Sequence, residues 1–221
     1  MNLDPAVVAA MNKAGLDPAL APTLDSIISA AIQDGAASGV ALAVGRNGHR
    51  AYMRGYGRLD WDSSSSPAND SSIWDMASLT KVVATTTALM LLEESGQLDI
   101  DLSVASYLPE LNAPDKAAIT VRQLLTHRGG FEAFAALYKN FRGREQYLDQ
   151  INARPLTSTP GTKTVYSDWD FILLGLVVER ITGSTLDAFT DARVYKPIGM
   201  SDTRFLPAVE MKGRIAFTEV D

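Results

Sequence analysis

Three observations along this 221-residue chain predict an α+β fold: a helical lobe plus a conspicuously small antiparallel sheet. Apolar residues recur mostly at helical spacing, beginning with the stripe Leu24, Ile27, Ile28, Ala31 and Ile32. One hairpin signal stands out, with strand-like residues 39–45 and 49–57 on either side of Asn47-Gly48. The run SLTKVVATTTALMLLEES, residues 78–95, is apolar on most sides and reads as a core helix. Several helices against a single hairpin leave little room for a large sheet.

Taken in order, the first clear helix is expected over 22–34, with Gly35 where a C-terminal stop belongs. Asn47-Gly48 supplies the two positive-φ positions of a tight turn, so 39–45 and 49–57 pair back to back. The serine run 63–66 followed by Pro67 reads as a surface loop. In the 78–95 helix, Ser78 is placed to cap the start and Gly96 the end. A short helix is expected over 121–127, with Thr120 and Gln123 at capping-box spacing and Gly129-Gly130 closing it. A third begins at Ser167 or Asp168 and ends at Gly183. A fourth begins at Ser184 or Thr185 and stops before Pro197 and Gly199. The whole reads as a single domain, with the helix and hairpin in about 20–60 and a mainly helical part in about 61–210.

Composition excludes several function classes. With 26 acidic against 20 basic side chains and a net charge of −6, no basic footprint for nucleic acid is present. The absence of cysteine removes disulfides, thiol nucleophiles and thiolate metal sites together. His49 and His127 are the only histidines, too few for a His-rich metal site, so no cofactor or metal is implied. The N-terminus has no basic start followed by a long apolar run, and no stretch is expected to span a membrane. As written, the chain reads as cytoplasmic; a periplasmic placement would require a signal removed before this numbering.

Chemistry enters with Ser78-Leu79-Thr80-Lys81, a hydroxyl and an amine one helical turn apart on one face. A serine hydroxyl becomes a useful nucleophile only when something takes its proton, and a neutral amine can do so. The lysine must then fall roughly 3 units from its reference value, at a cost near ~4 kcal/mol, which burial and a helix N-terminus both favour. Ser78 with a solvated lysine is the plain alternative, because Ser-x-x-Lys arises by chance about once in a chain of this size. Tyr166 follows in PGTKTVYSD, directly before a helix start, where a phenol can shuttle a proton or simply cap the core with its ring.

Four segments in order, MASLTK, LLTHRGGF, PGTKTVYSDWDFILLGLVVERITG and PIGMSDTRF, together resemble the serine β-lactamase and penicillin-binding-protein superfamily. Within it they are most similar to the class C-like branch that includes family VIII carboxylesterases and D-alanyl peptidase relatives. The resemblance covers about residues 20–210 and implies a β-lactamase/transpeptidase-like fold and an acyl-enzyme mechanism on a small acyl substrate. In that mechanism Ser78 attacks a carbonyl while Lys81 and Tyr166 relay the proton. The tyrosine motif of the family usually reads Tyr-x-Asn, whereas this chain has Asp168. An ionised Asp accepts but does not donate hydrogen bonds, repels a carboxylate-bearing substrate and holds Lys81 protonated; it also suits a helix cap. Preference for small uncharged esters over β-lactams is therefore expected. The resemblance also implies a third motif on a strand beyond Tyr166, which this sequence does not show: Lys212-Gly213 lacks the intervening residue. The strands that would pair with the hairpin are then expected from a complementing C-terminal segment or a homo-oligomer, or else the chain is an inactive piece of the fold. Tyr107 and Phe131 are candidates for an acyl pocket. His127 is read as structural, the three tryptophans as packing, and Asp99 and Asp101 as a solvated turn.

Overall fold

A computed structural model describes residues 3–218. They fall into two compact units, one formed by the chain up to Asp75 together with the segment from Leu206, the other by Met76–Phe205.

The first unit opens with a helix, α1 (Pro5–Ala14), that the sequence reading did not anticipate. Its signals are local: the Asp4 side chain accepts the Ala6 N–H, Pro5 occupies the first turn, and Gly15 closes it at φ 72°. The expected stripe forms α2 (Leu20–Gln33). Two strands, β1 (Gly39–Arg46) and β2 (His49–Gly57), pair antiparallel with Gly39 opposite Gly57 and Arg46 opposite His49. Asn47 and Gly48 turn the corner at φ 53° and 72°, as the hairpin signal requires. Among the described residues the sheet has only these two strands. Met11 and Ala14 from α1, Ala21 from α2, and Ala51 and Tyr52 from β2 form its apolar core. Asp25 accepts hydrogen bonds from the Tyr52 and Tyr56 hydroxyls and pairs with Arg54 at 2.9 Å. Burial opposes its ionisation, but those donors outweigh it and hold the carboxyl below its ordinary range. Gly55 is required by a close approach, since a Cβ there would lie 2.3 Å from the Asn69 Cα.

The second unit is helical. Its first segment was expected as one helix over 78–95 with Ser78 as cap, and the structure differs on both counts. A 3-10 turn over Ala77–Leu79 leads into a π-helical stretch, Lys81–Thr86, and only then into α3 (Thr87–Glu94). The Thr86 and Thr87 hydroxyls donate to the carbonyls of Lys81 and Val82, five residues back. Those bonds compete with the regular ladder and widen the turn. Burial is one-sided too: Ala84, Ala88, Leu89 and Leu92 are interior, while Leu79, Val82 and Met90 are more than half exposed.

Among the described residues the remaining α-helices are α4 (Val121–Leu125), α5 (Gly143–Ala153), α6 (Asp168–Thr182) and α7 (Leu186–Thr190). Thr120 and Gln123 make the anticipated reciprocal capping box before α4, and Gly183 ends α6 at φ 65°. Helix α5 was not anticipated, because GREQYLDQINA is polar and buries only Leu148 and Ile151. Leu89, Leu92, Leu124, Ile151, Trp169, Leu173, Leu174, Val177 and Val178 pack into one core centred on α6. No described helix is long and apolar enough to cross a membrane.

Candidate active site

Everything in the candidate site belongs to the helical unit. Lys81 Nζ lies 3.3 Å from Ser78 Oγ and 2.7 Å from Asp168 Oδ1, and stands 4.9 Å from the centre of the Tyr166 ring. Lys81 and Ser78 are both near enough to the Tyr166 hydroxyl to favour its ionised form. Ser78 and Lys81, neighbours on one turn, thus meet Tyr166 and Asp168 from a distant part of the sequence, at the junction of the 3-10 turn, the π stretch and the start of α6.

Backbone geometry explains how they are held. Ala77, immediately before Ser78, adopts φ 42°, and His127 adopts φ 54°. Non-glycine residues in the left-handed region cost about 1–3 kcal/mol and persist where the surroundings over-determine them. The segment carrying Tyr166 is pinned from several sides: the Val165 N–H donates to the His127 carbonyl at 2.9 Å, and the Asp168 N–H to the Ala133 carbonyl at 3.0 Å. The Ser167 hydroxyl donates to the Glu132 carbonyl at 2.7 Å, so Ser167 is not a side-chain cap for α6. Asp168 does not cap it either; its carboxylate is engaged by Lys81.

Electrostatics choose between the two expectations for Lys81, a neutral amine in a dry pocket or an amine kept protonated by an ionised Asp168. Burial does push Lys81 down, but the Asp168 carboxylate and the Tyr166 oxygen push it up by more, so it is an ammonium at neutral pH. The surroundings are also partly wet: the Lys81 side chain is 16% exposed, that of Asp168 38%, and Tyr166 53%. The phenol moves the other way. Hydrogen bonds from Lys81 and then Ser78 hold Tyr166 below its ordinary range. The group best suited to accept the Ser78 proton is therefore the phenol, with the ammonium favouring its ionised form.

Two other candidates sit elsewhere. Phe131 is buried in the helical core at 3% exposure. The Tyr107 hydroxyl accepts the Asp99 N–H at 2.8 Å and packs its ring on the same core. Both are accounted for by packing. His127 was read as structural and Asp170 was not singled out, yet both adjoin the cluster. The imidazole lies 4.6 Å from the Tyr166 ring, and its Nδ1 is 3.2 Å from Asp170 Oδ2. The available signal was the spacing Tyr166, Asp168, Asp170 at the front of one helix, which puts an acid on two faces of its first turn. No cluster of metal-binding side chains occurs among the described residues.

Comparison with known proteins extends the picture. A family model described as Beta-lactamase matches residues 24–220. Two Escherichia coli relatives carry the name "Putative D-alanyl-D-alanine carboxypeptidase". That from strain K12 is 36% identical over 173 residues, covering 70% of this chain and 39% of its own length. That from O157:H7 is 33% identical over 234 residues, covering 95% and 53%. Among solved structures, a class C beta-lactamase matches with TM-score 0.79 at 24% identity, covering 88% of this chain and 53% of its own. The hydrolase EstCE1, described as having promiscuous acyltransferase activity, matches with TM-score 0.78 at 24% identity, covering 89% and 55%. These structural likenesses support the fold. The chain spans about half the length, or less, of the curated relatives it matches.

Proposed function

Because the chain belongs to the beta-lactamase family, we propose that it acts as a serine hydrolase on small carboxylic esters through an acyl-enzyme on Ser78. The observation that carries this reading is the convergence of Ser78, Lys81 and Tyr166, with Lys81 Nζ 3.3 Å from Ser78 Oγ and 4.9 Å from the centre of the Tyr166 ring. Tyr166 takes the Ser78 proton as the oxygen attacks the ester carbonyl. The phenol then returns that proton to the departing alkoxide, and water releases the acyl group by the reverse relay. Lys81 remains an ammonium throughout and stabilises the phenolate. The Ser78 N–H is suited to serve as one oxyanion donor. A second donor at that oxygen would be worth about 10²–10³ in rate.

The direct test is intact-mass analysis after treatment with a fluorophosphonate. A single adduct on Ser78, absent in Ser78→Ala, is the expected result; a folded protein that takes no label points instead to a ligand-binding remnant of the fold.

Substrate choice follows from Asp168. Its carboxylate faces the amine where a substrate anion would otherwise be drawn, so neutral esters are favoured over penicillins and cephalosporins. The expected outcome is faster turnover of p-nitrophenyl acetate than of a chromogenic cephalosporin. Asp168→Asn removes the competing anion, and the ester-to-cephalosporin ratio of kcat/KM is expected to fall by about tenfold, the value of ~1.4 kcal/mol. An unchanged ratio would remove Asp168 from the specificity argument.

A further inference from the structure

We propose that Asp170 is a neutral carboxylic acid that donates its proton to His127 Nδ1, and that the two form an uncharged clamp positioning the Tyr166 phenol. The inference deepens the reading given above and rests on it only for its kinetic consequence.

His127 Nδ1 receives the backbone N–H of Ser167 at 3.2 Å and lies 3.2 Å from Asp170 Oδ2. A ring nitrogen that accepts an N–H carries a lone pair and no hydrogen. An ionised Asp170 would then set a second acceptor against that lone pair with no proton between them, in a place where the Asp170 side chain is 1% exposed. A proton on Oδ2 removes the conflict. Both separations are at the long end for hydrogen bonds, as expected when two donors share one lone pair. The other carboxyl oxygen, Oδ1, is buried without a hydrogen-bond partner, a far smaller penalty for a neutral acid than for an anion.

The surroundings agree. Burial alone pushes the Asp170 carboxyl up to about 8, with no cation contributing. Burial and then the Lys81 charge hold the imidazole below its ordinary range, against the opposing pull of Asp168. Those two groups are the charges acting on the pair from the neighbouring elements. Gly129 leaves the acid its space, since a Cβ there would lie 2.4 Å from Asp170 Oδ1.

The same imidazole grips Tyr166 twice. Its ring is tilted against the phenol ring at 4.6 Å and against Phe171 at 5.1 Å. Its Nδ1 holds the N–H of the peptide that follows Tyr166. When Asp170 loses its proton to solvent, the neutral imidazole exchanges its Nε2 hydrogen for one on Nδ1 to face the carboxylate, and the Ser167 N–H loses its acceptor. One proton thus decides whether the phenol is held on both sides. His127 and Asp170 are positioning residues that act through Tyr166.

Asp170→Asn tests this, because an amide N–H still donates to Nδ1 but does not titrate in this range. Fluorophosphonate labelling of Ser78 is followed by intact mass from about pH 6 to 10 in wild type, Asp170→Asn and Asp170→Ala. The variant-to-wild-type rate ratio for Asp170→Asn is expected to be near one at low pH. It should rise about tenfold through the Asp170 transition as the wild-type phenol loosens. Asp170→Ala, lacking the donor, is expected to be about tenfold slow at low pH. A flat ratio for Asp170→Asn overturns the clamp, whatever the behaviour of the alanine variant. If wild-type Ser78 takes no label, the hydrolase reading fails and a second readout decides the clamp. Tyrosine labelled with ¹³C at Cζ reports Tyr166 by NMR, assigned with Tyr166→Phe. A shift tracking the Asp170 transition in wild type and absent in Asp170→Asn supports the clamp, and identical titrations in both overturn it.

Discussion

Lys81→Met is expected to slow acylation of Ser78 by about 10³-fold, roughly 4 kcal/mol, within the range of lost acid–base assistance. The reason is indirect. Lys81 is an ammonium in this site, so its removal does not delete the proton acceptor. It deletes the hydrogen-bond donor that contributes most to holding the Tyr166 phenol down, and its charge as well. The phenol then returns toward its ordinary range, and the phenolate fraction at neutral pH falls with it. The rate–pH profile should therefore move to higher pH as well as lower amplitude, and partial recovery in alkaline buffer is part of the expectation. Asp168 loses its partner at 2.7 Å but is 38% exposed, so water compensates and the fold should be little affected. Labelling rates by intact mass across pH provide the measurement. A methionine variant reacting within tenfold of wild type with an unmoved profile would refute this role.

Leu173→Ala is expected to destabilise the helical unit by about 2–5 kcal/mol, a large fraction of the stability of an ordinary domain. Leu173 is fully buried on α6, in the core with Leu89, Leu92, Leu124 and Trp169. Truncation loses apolar burial and leaves a void that packed neighbours fill only in part. Met90→Ala makes the comparison, since Met90 is 63% exposed on α3 and its loss should change stability by no more than about 0.5 kcal/mol. Urea unfolding followed by far-UV circular dichroism reads both, with the midpoint displaced and the slope retained for Leu173→Ala. Equal midpoints for the two variants would contradict the packing of α6 at the centre of this unit.

Legibility in the sequence followed the range of the interaction involved. Asn47-Gly48 specified the hairpin because both residues must adopt positive φ whatever lies around them. The Thr120–Gln123 capping box and the Gly183 stop are bonds within one helical turn, and they stand where the spacing put them. Helix α5 is weakly legible because only Leu148 and Ile151 mark its buried stripe, and α1 because Met11 and Ala14 alone are buried and its start rests on the Asp4 cap. The change from 3-10 to π to α around Ser78 was not legible. Threonine hydroxyls compete with the backbone ladder there, and helix periodicity carries no trace of that competition.

The four segments MASLTK, LLTHRGGF, PGTKTVYSDWDFILLGLVVERITG and PIGMSDTRF, in that order, carried the resemblance to the family and singled out Ser78, Lys81 and Tyr166 as residues to be brought together. That an ionised Asp168 would hold Lys81 protonated was legible too, but the distances that make it so came only with the fold. The charge of Lys81 depends on a carboxylate 2.7 Å away in space yet on another helix. The hydrogen assigned to Asp170 depends on a nitrogen 43 residues distant that is already occupied by a backbone N–H. Local rules govern which bonds a short segment makes with itself. Proton positions follow from desolvation and from neighbouring charges, which exist only once distant segments have packed.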